Sequence, residues 1–157
     1  MLAIGRKSRI PDGIVIVRSA SPKTPARNHT FPDWPNEVTI APGDHIVVVR
    51  DLAAFTERYP SVPAGKVLGP YAGQLDNGGE ELELSMPGDT DAYGRQHYIR
   101  IDRVSYSDGA HASNSPGGVD LWPTQADGGG MSLNRVFSSL YGNDPNNWTA
   151  STPSPGD

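Results

Sequence analysis

The sequence predicts an all-β fold of many short strands with one short helix, in a single domain without disulfides. The chain has 157 residues, of which 36% are hydrophobic, enough for one domain with a modest core. Its 18 glycines and 15 prolines lie between apolar runs, where they mark turns. Cysteine is absent, so packing must stabilise the fold without disulfides.

The first 29 residues form a basic leader. They carry six Lys/Arg against Asp12 alone, whereas residues 30 to 157 carry seven basic and 17 acidic groups. Within the leader, only Ile14–Val17 has the composition of a strand, and Ser19–Asn28, with two prolines, indicates an extended linker. The sequence therefore predicts that 1–29 is a basic leader or linker.

After the leader, strand and turn patterns become regular. Glu37–Ile40 and His45–Val49 are predicted strands, and the second is apolar enough to be buried. Asp51 is suited to cap a helix over Leu52–Tyr59, because its carboxylate can accept the free amides of the first turn. Pro60 ends that helix.

The middle of the chain predicts a hairpin and one long strand. Lys66–Leu68 and Glu81–Ser85 flank Asp76–Gly79, a turn whose Asn and Gly residues tolerate positive φ. In Tyr98–Tyr106 the apolar residues change parity halfway, which indicates a bulge near Asp102–Arg103.

The alternation of acidic and apolar residues at 81–84 has two interpretations. Glu81 and Glu83 would lie on one face of a strand, with Leu82 and Leu84 on the other. A solvated face explains this spacing more simply than a pair of catalytic carboxylates. Met131–Val136 is predicted as the last strand, and 152–157 as a disordered tail.

Several segments together resemble the bacterial lamin-tail domain, over roughly Thr30 to Ser151: Phe31–Pro32, Ile40–Asp51, Leu75–Glu80, Leu121–Leu133 and Asn143–Trp148. The resemblance implies an immunoglobulin-like β-sandwich. Members of that family place two or more strands, one bearing a tryptophan, before the position of Phe31. Nothing in the leader matches those strands, so the resemblance implies a sandwich that lacks or replaces its first strands.

The same resemblance implies a non-catalytic accessory or adhesion module of a larger bacterial surface or secreted protein. Its expected partners are another protein or neighbouring domains, and an exposed strand edge would favour self-association. A calcium- or carbohydrate-binding domain associated with a hydrolase is the alternative. Met1–Lys7 lacks the apolar region of a signal peptide, and no apolar run is long enough to span a membrane.

Asp89 and Asp91 are the candidate metal ligands, because alternating carboxylates before Gly94 resemble the start of a calcium loop. The pattern then breaks, since Tyr93 occupies the fifth position and Arg100 the twelfth, where a glutamate is needed. The sequence predicts a plain hairpin here and no tight calcium site.

Trp122 and Trp148 are the candidate binding residues. If exposed, their rings could form platforms for carbohydrate or peptide, but turn-rich sequence around both favours anchoring in or near the core.

No pattern points to catalysis. Gly-x-Ser-x-Gly and His-Glu-x-x-His are both absent, and Ser115 and Ser132 lack a recognisable base, so no enzyme is predicted. The excess of acidic groups after residue 29 repels phosphates and argues against nucleic-acid binding.

Overall fold

The computed structural model describes residues 2–4, 16–21, 24–30, 45–71, 75–76 and 78–155. The predicted strand Glu37–Ile40 and the last two residues of the predicted tail lie outside these described residues. Within the described residues, nine strands and one α-helix follow one another as β1 Leu2–Ile4, β2 Ile16–Ser21, β3 Thr24–Thr30, β4 Ile46–Val48, α1 Leu52–Arg58, β5 Val67–Leu68, β6 Glu81–Thr90, β7 Gln96–Ser105, β8 Ser132–Arg135 and β9 Trp148–Ser151.

The strands form three sheets, most of them antiparallel. The largest has the order β3-β2-β6-β7, a second has the order β1-β4-β5, and β8 pairs with β9. Only β4 and β5 run parallel among the described strand pairs, with Val47 opposite Val67. The expected all-β class with one short helix is therefore confirmed. In the described part of the chain, no helix is long and apolar enough to cross a membrane.

The predicted hairpin between Lys66–Leu68 and Glu81–Ser85 is wrong. β5 pairs with β4, while β6 pairs with β2 and β7. The turn at Asp76 does form, since its Oδ1 accepts the amide of Gly78 at 2.8 Å. However, β5 has two residues, and β7 offers ten as a partner for β6. The turn therefore redirects the chain between sheets.

The interpretation of Ser19–Asn28 as a linker is also wrong, because this segment contributes to β2 and β3. β2 also pairs with β6, and the paired residues extend from Ile16 opposite Ser85 to Ala20 opposite Glu81. The last two residues of the strand-like run Ile14–Val17 begin β2, and its first two lie outside the described residues. Hydrophobic periodicity missed the rest of β2 and all of β3, because strand pairing satisfies backbone groups and needs no apolar pattern. Pro25 lies in β3, an outer strand, where a missing amide donor is tolerated.

Other local predictions are confirmed or need small corrections. Asp51 caps α1 by accepting the amide of Ala54 at 2.9 Å. The bulge forms at Ile101, next to the predicted position, but Ile99 remains exposed. Met131–Val136 does contain β8, although it is not the last strand, because β9 follows at Trp148.

The core lies between the largest sheet and the β8–β9 ribbon. Leu82, Val104 and Trp122 form its buried cluster. Side chains that pack against this cluster are Leu75, Tyr106, Leu133 and Trp148. Glu81 and Glu83 are half-buried while Leu82 and Leu84 are buried, which confirms the predicted two faces of β6.

Gly142 lies where the chain after β8 touches β7. A Cβ added there would lie 2.8 Å from both Arg103 O and Asp102 Oδ1. We expect Gly142→Ala to lower the free energy of unfolding by about 1–3 kcal/mol, as overpacking does. Gly65→Ala is the control, since nothing lies within 4 Å of a Cβ at that position. Equal melting temperatures for the two variants would contradict this expectation.

Candidate ligand cleft, acidic cluster and apolar loop

An open cleft of about 540 Å³ separates β4 and α1 from the β6–β7 hairpin and β8. Five aromatic side chains lie among its lining residues, those of Phe55, Tyr59, Tyr71, Tyr106 and Trp148. The cleft reaches the core residues Leu82 and Val104. Cavities of this size with apolar walls and a few polar groups are typical of ligand sites.

A polar network fixes one wall of this cleft. Tyr106 donates from Oη to the carbonyl of Asp76 at 2.7 Å and to Oε1 of buried Glu80 at 3.3 Å. Glu80 also accepts the amide of Asp76 at 3.2 Å. Burial, and then the Glu80 carboxylate, raise the pKa of Tyr106 far above its ordinary value. Tyr106 therefore stays a neutral donor, and its ring has a fixed position.

Asp108, His111 and Asp120 form an acidic cluster at the rim, where Asp108 also lines the cleft. Their ligating atoms all lie within 4.8 Å of one another. His111 Nδ1 lies 2.8 Å from Asp108 Oδ1. Asp120 Oδ2 accepts from Ser107 Oγ at 2.6 Å and from the amide of His111 at 3.1 Å. These bonds join two loops, and carboxylate oxygens with an imidazole are also a donor set for divalent cations.

Sequence reasoning missed this cluster. Its three members lie in polar loops, where aspartate usually caps turns through hydrogen bonds to nearby backbone. Asp108 and His111 are three residues apart, which is a weak signal, and Asp120 joins them only through the fold. The close approach depends on Gly109, whose φ is 83° and where a Cβ would lie 2.6 Å from the carbonyl of Trp122.

Asp89 and Asp91 lie away from this cluster, at the β6–β7 hairpin. Asp91 Oδ1 accepts the amides of Tyr93 and Arg95, at 2.8 and 2.9 Å. Asp89 is exposed. The two residues thus form part of a hairpin turn, as predicted, and among the described residues they belong to no group of three metal-ligating side chains.

The two tryptophans come together. Their ring centroids are 5.8 Å apart at 46°, a tilted arrangement, with Trp122 buried in the core and Trp148 half-buried in the cleft wall. Trp148 Nε1 donates to the carbonyl of Gly142 at 2.8 Å. The expectation that both rings pack in or next to the core is confirmed, and ligand binding by Trp122 and Trp148 stays a prediction.

An apolar loop, Val136–Tyr141, follows β8 and projects hydrophobic side chains into solvent. Phe137 is 64% exposed and Tyr141 is 63% exposed, and Val136 and Leu140 are exposed as well. Surface hydrophobic residues are often scattered singly, whereas these four belong to one short segment.

Hydrogen bonds hold the backbone of the apolar loop in place. Its carbonyls at Leu140 and Tyr141 accept from the side chains of Arg135 and Asn147, the second at 2.9 Å. The amide of Val136 donates to the carbonyl of Asn147 at 2.8 Å. Just beyond the loop, Asn143 Oδ1 accepts the amide of Ser105 at 2.6 Å and attaches it to β7. The exposed side chains are therefore presented on an ordered backbone.

The hydrogen bonds of the acidic cluster should make the stability of the protein depend on pH. Hydrogen bonds, first that from the amide of Ala110, lower the pKa of Asp108 below its ordinary value. Burial alone would raise the pKa of Asp120, but the hydrogen bonds from Ser107, Trp122 and His111 outweigh burial and lower this pKa below its ordinary value. The stabilisation is thus present above about pH 4, near the unfolded pKa, and is lost as pH falls through the lower folded values. We expect melting temperature to fall from about pH 5 to about pH 3, and to fall less in Asp120→Asn. An identical decline in both proteins would contradict this.

Comparisons with known proteins give no relative for this chain. No protein-family model, no curated protein and no solved structure matches it.

Proposed function

We propose that this protein is a non-catalytic accessory module that binds a protein partner or a neighbouring domain. The observation that carries the proposal is the apolar loop, whose exposed phenylalanine and tyrosine stand on a backbone fixed by Arg135, Asn147 and Asn143. A preformed surface loses little conformational entropy on binding, and aromatic side chains commonly supply the strongest contacts of an interface.

The fold we propose for it is the immunoglobulin-like sandwich of the lamin-tail domain. Support comes from the sequence segments that resemble that family and from largely antiparallel sheets around one core. We further propose that the module belongs to a larger surface or secreted protein, as the resemblance implies. Loops at the end of such a sandwich are common binding surfaces.

Affinity capture from extracts of the source organism tests the loop. We expect the wild type to retain a defined partner and the double variant Phe137→Ser/Tyr141→Ser to lose it. Tyr93→Ser is the matched control, because Tyr93 is an aromatic residue at the β6–β7 turn and is 87% exposed. Retention of the partner by the double variant, or no specific capture by the wild type, would count against the proposal. Unchanged melting temperatures show that all variants are folded.

A second candidate function, a cation-dependent binding domain, is favoured by the acidic cluster. Asp108, His111 and Asp120 supply three ligand atoms within 4.8 Å. Titration calorimetry with zinc and with calcium, after treatment of the protein with a chelator, tests this function. Binding of one ion by the wild type and no binding by Asp120→Asn would support the function, and no heat of binding to the wild type would contradict it. Binding of calcium that depends on Asp89 and Asp91 would instead support the loop singled out in the sequence.

A further inference from the structure

The cleft combines aromatic side chains with a predominantly negative charge. Among the described residues that line it are four carboxylates, those of Asp51, Asp76, Asp108 and Asp127, and one guanidinium, that of Arg50. Buried Glu80 adds negative potential behind the wall, where it raises the pKa of Tyr106. A cavity in which one sign of charge predominates concentrates ligands of the opposite sign.

Three of these carboxylates have fixed positions, because each accepts a backbone amide. Asp51 accepts from Ala54, Asp76 from Gly78 and Asp108 from Ala110. Asp127 differs, since its side chain is exposed and forms no hydrogen bond with any described residue. It precedes Gly128, which has a φ of 65°, so it stands at a tight turn on the rim. The negative charge of the cleft can therefore be altered at Asp127 without breaking a turn.

The aromatic walls suit a cation on an apolar stem. The faces of tyrosine and tryptophan rings attract ammonium and guanidinium groups. The protein itself shows this contact, since the guanidinium carbon of Arg58 lies 5.8 Å from the centroid of the Tyr59 ring. Next to these rings, Val49, Leu82 and Val104 give the cleft an apolar floor. Lysine and arginine side chains, whose apolar stems end in a charged group, match both features.

We propose that the cleft binds a short segment of a partner protein in which a lysine or arginine is flanked by apolar residues. The cation would lie near the rim carboxylates and the aromatic rings, with its apolar neighbours against the floor. This site is distinct from the apolar loop and goes beyond the function proposed above, which does not depend on it.

Three blocked peptides, acetyl-Leu-Lys-Leu-amide and its analogues with glutamine or glutamate in the centre, test the proposal. We expect the lysine peptide to bind most tightly, the glutamine peptide about fivefold more weakly and the glutamate peptide most weakly. A loss of about fivefold is typical when a partly screened charge pair is removed. In nuclear magnetic resonance spectra, the lysine peptide should shift the signals of Tyr71, Tyr106 and the indole of Trp148. Equal binding of the three peptides, binding elsewhere or no binding would overturn it.

A charge-reversal pair locates the effect. Asp127→Lys should weaken the lysine peptide about tenfold, and Asp89→Lys, an identical change at an exposed residue outside the cleft lining, should not. If both variants weakened binding of the lysine peptide equally, the peptide would be attracted by the overall negative charge of the protein, and the proposed site would be wrong. Phe137→Ser/Tyr141→Ser should leave peptide affinity unchanged, so failure of the apolar loop and failure of the cleft are separable.

Discussion

Replacing Trp122 by alanine is expected to lower the free energy of unfolding by about 3–5 kcal/mol. Trp122 is buried against Leu82 and Val104, and its ring packs on that of Trp148. Truncation removes this packing and leaves a cavity at the centre of the fold. Because small domains are stable by only about 5–15 kcal/mol, this loss is a large share of the total. Chemical denaturation followed by circular dichroism measures it.

Tyr93→Ala is the control for this measurement, because the Tyr93 ring is 87% exposed at the β6–β7 turn. We expect a change within about 0.5 kcal/mol there. Trp122→Phe should lie between the two and keeps the experiment informative if the alanine variant does not fold. Losses of similar size for Trp122→Ala and Tyr93→Ala would mean that Trp122 does not anchor the core.

Replacing Arg135 by methionine is expected to cost about 3 kcal/mol, because it leaves the carboxylate of Asp102 without its cation in a poorly solvated position. Arg135 Nη1 donates to Asp102 Oδ2 at 2.6 Å, and the two side chains are only 16% and 19% exposed. Arg135 also donates to the carbonyl of Leu140. The variant should therefore lose stability and also the fixed position of the apolar loop, as hydrogen exchange at residues 136–141 would show.

Arg100→Met is the matched control, since Arg100 pairs with Glu83 at 3.8 Å with 53% of its side chain exposed. Solvated pairs of this kind contribute about 0–1 kcal/mol. If Asp102→Asn is combined with Arg135→Met, part of the loss should be recovered, because no charge is left unpaired. If Arg135→Met were as stable as Arg100→Met, the pair of Arg135 and Asp102 would have no structural role.

The sequence predicted the elements that depend on local chemistry. The cap at Asp51, the hairpin turn at Asp91 and the alternation along β6 all follow from residues a few positions apart. These features need no knowledge of distant partners, which is why they could be predicted. The position of each tryptophan, Trp122 and Trp148, in or next to the core was predicted from its size and the turns around it, whereas the contact between the two rings was not.

Strand partners and the cluster at the rim required long-range information. Val67–Leu68 carries nothing that selects β4 over β6, because two residues specify almost no register. After Val17, β2 and β3 have mixed polar sequences, so their pairing through backbone groups left no apolar signal. Asp120 meets His111 only because Gly109 lets two loops approach closely.

In the apolar loop, the residues that fix the backbone differ from the residues that are exposed to solvent. Its position depends on groups outside the exposed tip, namely Arg135, Asn143 and Asn147, while Phe137 and Tyr141 are largely exposed to solvent. The tip can therefore accept new side chains at little cost to folding. A library randomised at residues 137–141 should give mostly folded proteins with different binding preferences, which would make this module a scaffold for selected recognition.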